Sequence, residues 1–500
     1  MSKALNPARV RFAPSPTGRF HIGSARTALY DYLFARKTGG QFILRLEDTD
    51  QKRFDPDSEA EFYEALRWLG LQWDEGPDIG GPYAPYRQSE RMTIYQKYAQ
   101  ELVDSGHAYP CFCSPERLNQ VRQEQQKRKE PTRYDGLCRN LSAQEAQSRL
   151  DSGETAVIRF KTPHQGKTTC VDILRDPIVV ENATIDDYIL VKSSGMPVYH
   201  LAAIVDDYLM QITHVLRGSE WLPTFPLHVL IYEALEWVQP QWVHLSVLLN
   251  PSGKGKLSKR ASAETKGGAK AIFALDLRNM GYLPEAVNNW ISLMGWSYDD
   301  HTEYFRMQDL IDKFSLEKLN PSPAAVNYSK LDHFNGLHIR DMETHDLTQR
   351  LIPYFNEAGV EIVPSQLEDI TPIIQERIRT LDEAVAMAAF FFQPEVDPDP
   401  QELLGKNLSA GESALAVQRA TDILQALDTL ELESTESALR GVAEELQLNA
   451  GQLFGILRVA ITGQRVSPPL IESMNIIGRD TVLKRLAHAV ELLKTLDSLE

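Results

Sequence analysis

Val10-Arg11-Phe12-Ala13-Pro14-Ser15-Pro16-Thr17-Gly18-Arg19-Phe20-His21-Ile22-Gly23-Ser24 is a short apolar run ending in a turn rich in proline and glycine. From Ala25 to Lys37, the residues Ala28, Leu29, Tyr32, Leu33 and Ala35 fall on one helical face. The stretch therefore reads as strand, turn and helix N-terminus. Free amides at that helix start, aided by the dipole, make a site for phosphate. His21 offers an imidazole donor, while Gly23 and the following Ser24 allow a nucleotide to approach the backbone closely. Taken alone, the same stretch also reads as a turn with no ligand.

A second stretch changes that balance. Lys254, Lys256, Lys259 and Arg260 crowd a loop that also holds Leu257 and Ser258. Such a loop suits closure over a triphosphate and stabilisation of leaving pyrophosphate; a solvated charged loop is the plainer reading. Together, His21-Ile22-Gly23-Ser24 and Lys256-Leu257-Ser258-Lys259-Arg260 resemble the two signatures of the class I aminoacyl-tRNA synthetases. Arg11 to Gly18 and Arg45-Leu46-Glu47-Asp48-Thr49-Asp50 look like the glutamyl/glutaminyl branch. The likeness runs on through Tyr199-His200-Leu201-Ala202, Asp206-Asp207, Arg217-Gly218-Ser219-Glu220-Trp221, Gly281 to Ala286 and Leu331 to Asn335, weakening after about residue 390.

Bulk properties allow this reading. Five hundred residues suggest several domains, each with its own core. A net charge of −17 leaves room for a nucleic-acid partner, because binding needs only a local basic surface. No run approaches the roughly 18 apolar residues of a membrane span, and Met1 to Arg9 lacks the apolar core of a secretory signal. Four cysteines fit a reducing cytosol without a disulfide framework, so a cytoplasmic location is expected.

Gln41 to Glu47 reads as a second strand after the first helix, opening a parallel nucleotide-binding sheet with its site at the C-terminal strand ends. Glu47 at such an end suits a substrate ammonium or a helix cap. Ser58-Glu59-Ala60-Glu61 fits a capping box before Phe62, Leu66 and Leu69, and another helix spans Ser89 to Gly106. Between about His107 and Met196, cysteines, shorter strands and clustered charges indicate an inserted α+β module. Lys127, Arg128, Lys129 and Arg133 are candidate phosphate contacts or a solvated helix face. Cys111, Cys113 and Cys138 offer three of the four ligands of a structural zinc site, with Tyr134 or His107 nearest as the fourth. Buried free thiols are the other reading. Val198 to Ile204, Asp206-Asp207 and Gln211 to Arg217 read as strand, loop and strand around the site, where Arg217 needs an anion.

The resemblance implies an α/β Rossmann-type catalytic domain with an α+β insertion, followed by a mainly α-helical C-terminal half. It places the first half of the catalytic domain at 1–106, an acceptor-arm-binding insertion at 107–196 and the second catalytic half at 197–262. A stem-contact segment at 263–340 and an anticodon-binding region at 341–500 follow. Helical stretches are read around 346–358, 366–392, 411–430, 434–447, 452–462 and 480–498, with a linker at Pro394 to Pro400. Helices there are the bacterial glutamyl pattern, whereas glutaminyl relatives carry β-barrels.

By the same resemblance, His21, Gly23, Ser24, Lys256, Ser258 and Lys259 bind ATP with Mg²⁺, and His21, Lys259 and Lys256 serve catalysis. Arg11, Ala13, Ser15, Glu47, Tyr199 and Arg217 bind glutamate, with Arg11, Tyr199 and Arg217 on its γ-carboxylate. Some relatives hold zinc through two Cys, a Tyr and a third Cys, the spacing of Cys111, Cys113, Tyr134 and Cys138; others use a His where Asn140 stands. The implied activity is activation of glutamate and its transfer to the glutamate tRNA, and in some members to the glutamine tRNA, by a monomer. A glutaminyl enzyme, a small nucleotidyltransferase and a non-catalytic tRNA-binding paralogue are the alternatives. The helical half opposes the first and second, and retention of His21 and Lys259 opposes the third.

Overall fold

Strand Arg9–Phe12 and strand Gln41–Leu44 pair in parallel, from Arg9 opposite Gln41 to Phe12 opposite Leu44. The coordinates are a computed structural model, describing residues 6–257 and 272–498. The connecting helix, Ile22–Thr38, stops at Gly39, whose φ of 67° lets its N–H reach back to Ala35 O and Arg36 O. A second parallel pair joins His214–Gly218 to Gln241–Leu245. The Thr213 N–H donates to Arg9 O at 2.9 Å, tying the two pairs together. Strand-helix-strand units of this kind leave a crevice at the C-terminal strand ends.

Two local expectations need correcting. The helix expected to open at Ser58 spans Pro56–Trp68 and is capped by Asp55, whose carboxylate accepts from Asp57 N and Ser58 Oγ. Proline at the first helical position needs no N–H partner, which favours the earlier start. The expected strand and loop over Val198 to Asp207 are one helix, Tyr199–Leu209. Leu201 through Asp207 are all buried in it, so no polar face marked the helical period in the sequence.

The inserted segment builds a three-stranded antiparallel sheet from Ala108–Cys111, Val157–Phe160 and Ile189–Val191. A hairpin, Lys167–Cys170 with Ile178–Glu181, follows. Its loop clasps the second parallel pair, where Ile173 N–H donates to Trp242 O at 2.9 Å.

The chain divides into two units, Met1–Leu277 with Val287–Tyr328, and Arg278–Ala286 with Ser329–Glu500. Among the described residues, the second unit holds no strand. One of its cores packs Leu347, Leu351, Phe355, Leu367, Ile370 and Ile374 from helices Thr344–Glu357 and Pro364–Gln375. The other buries Val417, Ala420, Leu453, Leu457, Leu486 and Leu493 from helices Ala410–Ala426, Ala450–Thr462 and Arg479–Asp497. Ser409 with Glu412 and Asn449 with Gln452 form capping boxes that satisfy free amides at two of these helix starts. The helix expected over 366–392 is broken between Gln375 and Glu383, and Leu470–Ile477 adds a short helix that the sequence reading missed. No helix among the described residues is long and apolar enough to cross a membrane.

Candidate active site

A cavity of about 670 Å³ opens at the ends of the two parallel pairs. Its wall includes Arg11, Ala13, Ser15, His21, Gly23, Ser24, Glu47, Tyr199, Arg217 and Lys256. Ten of the sequence-derived substrate residues therefore meet in one place. Ser258 and Lys259 lie outside the described residues.

His21 is the N-cap of helix Ile22–Thr38, and its Nδ1 accepts from Ser24 N at 3.1 Å. An imidazole that accepts at Nδ1 carries its proton on Nε2, where it can donate to an anion at the helix start. Gly23 packs against that ring. A Cβ at this position would lie 3.0 Å from His21 Nδ1 and 3.1 Å from its Cε1. Glycine here makes room for the imidazole itself.

Beneath the cavity floor lies a network of buried charges. Arg45 is fully buried and donates to Asp207 at 2.8 Å and to Glu47 at 2.9 Å. Asp206 accepts from Arg91 at 2.7 Å, Tyr95 at 2.8 Å and Gln88 at 2.9 Å. These two aspartates, expected to border the site from a loop, instead hold arginines from inside helix Tyr199–Leu209. Arg11 makes a fork to Asp207 at 2.9 and 3.2 Å and donates to Leu216 O at 3.3 Å. Its charge is thus paired before any substrate arrives. Burial would raise the Asp207 carboxyl, but Arg11 and Arg45 hold it below the ordinary value. Burial raises that of Glu47 against the pull of Arg45 and Arg11.

Arg217 is different. It is buried, with 6% of its surface exposed, and has no carboxylate partner among the described residues. Its Nε donates to His244 Nε2 at 3.0 Å, and its Nη1 meets His228 Nδ1 at 2.9 Å and Tyr199 OH at 3.4 Å. Its Nη2 is buried with no partner. The guanidinium lies 4.8 Å from the Trp242 ring centre, and Tyr199 stacks on Trp221 at 4.0 Å. Burial pushes His244 down to about 4, opposed by its bond to Asp172. Burial and the Arg217 charge together hold His228 well below its ordinary value. Both imidazoles are neutral at pH 7, so neither supplies a counter-charge.

Sequence reasoning missed His228, His244, Asp172 and the stacking role of Trp221. The available signal was a polar residue inside an apolar run: His228 in Phe225 to Ile231 and His244 in Trp242 to Leu245. Lys256 is exposed, its Nζ 4.0 Å from Glu220 Oε1, on a turn whose Leu257 N–H returns to Leu248 O. Lys127, Arg128 and Lys129 are exposed, whereas Arg133 is half-buried and donates to Ala183 O at 2.8 Å.

Apart from the cavity, Cys111, Cys113 and Cys138 bring their sulfurs within 4.8 Å of one another. Cys113 Sγ is 3.6 Å from Cys138 Sγ, and Tyr134 OH lies 3.4 Å from Cys111 and 3.5 Å from Cys113. A tetrahedral site with Zn–S bonds near 2.3 Å has S···S edges of about 3.8 Å, so this donor set fits zinc.

Comparison with known proteins places this geometry. Residues 7–333 match the family described as tRNA synthetases class I (E and Q), catalytic domain, and residues 346–490 match the anticodon binding domain. A glutamate–tRNA ligase of Dehalococcoides mccartyi is 45% identical over 99% of this chain and 100% of its own length. One of Borreliella burgdorferi is 43% identical over 97% of this chain and 99% of its own. A crystal structure of a glutamate tRNA ligase from Elizabethkingia meningosepticum, in complex with its amino acid, superposes with a TM-score of 0.89 at 37% identity. That match covers 97% of this chain and 99% of the other. With nearly its whole length matched, the chain belongs to the glutamate–tRNA ligase family of class I synthetases.

Proposed function

We propose that this protein activates glutamate with ATP and transfers it to tRNA, and that Arg217 selects the substrate. The observation that carries this reading is a buried guanidinium on the cavity wall with no carboxylate partner among the described residues and an unpartnered Nη2. A γ-carboxylate supplies the missing anion in a fork geometry. Arg11, already paired with Asp207, adds field more than a free donor, and Glu47 faces the substrate ammonium.

The chemistry needs no protein nucleophile. The α-carboxylate of glutamate attacks the α-phosphorus in line, and pyrophosphate leaves. His21 donates from Nε2 to the phosphates at the helix start, and Lys256 contributes positive charge on the leaving side. Lys259, outside the described residues, is assigned the same leaving-side role. Mg²⁺ accompanies ATP and lowers its charge. A terminal ribose hydroxyl of tRNA then takes the glutamyl group from the adenylate and AMP leaves. The all-helical unit is the tRNA anticodon reader in this scheme.

Aminoacylation with labelled glutamate and glutamine against glutamate and glutamine tRNAs tests the reading. Glutamate transferred to its tRNA is the expected result, and transfer to both tRNAs identifies a relaxed enzyme. Glutamine transferred, or nothing transferred, overturns it.

The cysteine cluster is assigned a structural zinc through Cys111, Cys113, Cys138 and Tyr134, which supplies folding energy to the insertion and no catalysis. Metal analysis of the purified protein should give one zinc per chain, lost in Cys138→Ser. Metal-free protein of unchanged thermal stability refutes the assignment.

A further inference from the structure

The cavity wall ends at Arg217, but its orientation is decided by residues that do not line the cavity. Arg217 Nε–H donates to His244 Nε2, so the His244 proton must sit on Nδ1. That Nδ1 lies 2.7 Å from Asp172 Oδ2, which also accepts the His244 backbone N–H at 2.9 Å. The other Asp172 oxygen takes Leu174 N–H and Arg175 Nη1, each at 3.0 Å. Every group around this carboxylate is a donor. Asp172 and His244 are buried, and Asp172 comes from the hairpin loop of the inserted segment rather than from the sheet. On the other side, Arg217 Nη1 donates to His228 Nδ1, whose Nε2–H then faces His200 Nδ1 at 2.9 Å.

We propose that Asp172 and His244 are positioning residues for substrate discrimination: Asp172 fixes the tautomer of His244, and His244 locks the Arg217 fork. With Nε held by His244 and one Nη1–H held by His228, the second Nη1–H and the unpartnered Nη2 form the fixed edge that Arg217 offers the substrate. A fixed fork pairs well with a carboxylate and poorly with an amide, whose NH₂ would meet a donor. A loose arginine would turn toward the amide oxygen and discriminate less. The inserted segment is thereby joined to amino-acid selection through one carboxylate. This inference rests on Arg217 as the side-chain anchor.

Three variants of the full chain test it, each with glutamate and ATP KM and the glutamate-to-glutamine ratio of kcat/KM. His244→Leu removes the acceptor facing Arg217 Nε and should raise the glutamate KM roughly ten- to hundredfold, the loss of one charged hydrogen bond. The ATP KM should hold and the ratio should fall. His244→Gln returns an acceptor without a tautomer and should restore most of both. Asp172→Asn puts an NH₂ among donors; only the imidazole can turn acceptor, presenting Nε2–H to Arg217. It should mimic His244→Leu, and adding His244→Gln to Asp172→Asn should rescue it. A merely structural carboxylate gives no such rescue. Unchanged glutamate KM in His244→Leu and Asp172→Asn, equal losses for ATP, or no rescue overturns the proposal. Arg217→Lys separates the two failures: if it leaves the glutamate KM unchanged, the anchor itself is wrong. If it raises that KM while Asp172→Asn does not, only the relay fails.

Discussion

Arg217→Met separates what the arginine does for substrate from what it does for the fold. In the folded chain without substrate, Arg217 is a buried cation lacking a carboxylate partner among the described residues. Removing it relieves a desolvation penalty of several kcal/mol. It also leaves His228 Nδ1 and His244 Nε2 without their donor, at roughly 1–3 kcal/mol each. The terms oppose, so stability should change by less than about 2 kcal/mol in either direction. With substrate, the loss is one-sided. A buried γ-carboxylate left without its guanidinium costs roughly 3–5 kcal/mol, or about 10²- to 4 × 10³-fold in kcat/KM for glutamate. The assay is pyrophosphate exchange with tRNA present, varying glutamate and then ATP, beside denaturation followed by tryptophan fluorescence. All seven tryptophans lie between Trp68 and Trp296, within the first unit, so that signal reports on the unit holding the cavity. A glutamate KM that stays put, an ATP KM that rises equally, or a large stability loss would refute the assignment of Arg217 as an anchor waiting for an anion.

Three further outcomes follow from other parts of the site. Arg45→Met strips one of two cations from Asp207 and the cation from Glu47, and should destabilise the first unit by roughly 3–5 kcal/mol, unlike the near-neutral Arg217→Met; equal midpoints for the two variants would contradict the pairing described. Gly23→Ala should leave the midpoint unchanged or slightly raised, since alanine favours a helix by about 1 kcal/mol, while displacing the His21 ring and lowering adenylate formation about tenfold or more; full activity would show that ring placement is unimportant. His200 and His244 are each held near pKa 4 against an ordinary 6.5, first by burial. The unfolded chain therefore binds protons that the folded one refuses, so stability is full above pH 6.5 and falls as pH drops toward 4. The fall is up to roughly 3 kcal/mol per histidine. Denaturation midpoints between pH 8 and 4 check this, and His244→Gln should flatten the curve.

Much of the catalytic half was legible because its signals are local. A strand ending in Pro14, Pro16 and Gly18 followed by a helical face needs no distant partner to be recognised, and His21 sits at the helix start because the turn places it there. The helical character of the chain beyond Asp341 was legible for the same reason, as apolar spacing broken by Pro, Gly or Asn. Helix Tyr199–Leu209 was not, because a segment buried on every side shows no periodicity. The break after Gln375 was also hidden, since Glu376 to Asp382 are ordinary helix formers and their course is set by packing of Ile378 and Leu381.

By itself the sequence determined the turn that leads into helix Ile22–Thr38, the candidate cysteine donors and an arginine that needed an anion, because each is a matter of residue type and short spacing. Only the tertiary structure decided which anion each arginine meets. Asp207 stands 196 positions from Arg11 and 162 from Arg45, and it pairs with both of them and not with Arg217. It likewise decided that His244, 72 positions from Asp172, lies between that carboxylate and Arg217. A charge is satisfied by what lies within a few ångströms of it, and that distance is set by how the sheet, the helix Tyr199–Leu209 and the inserted hairpin pack.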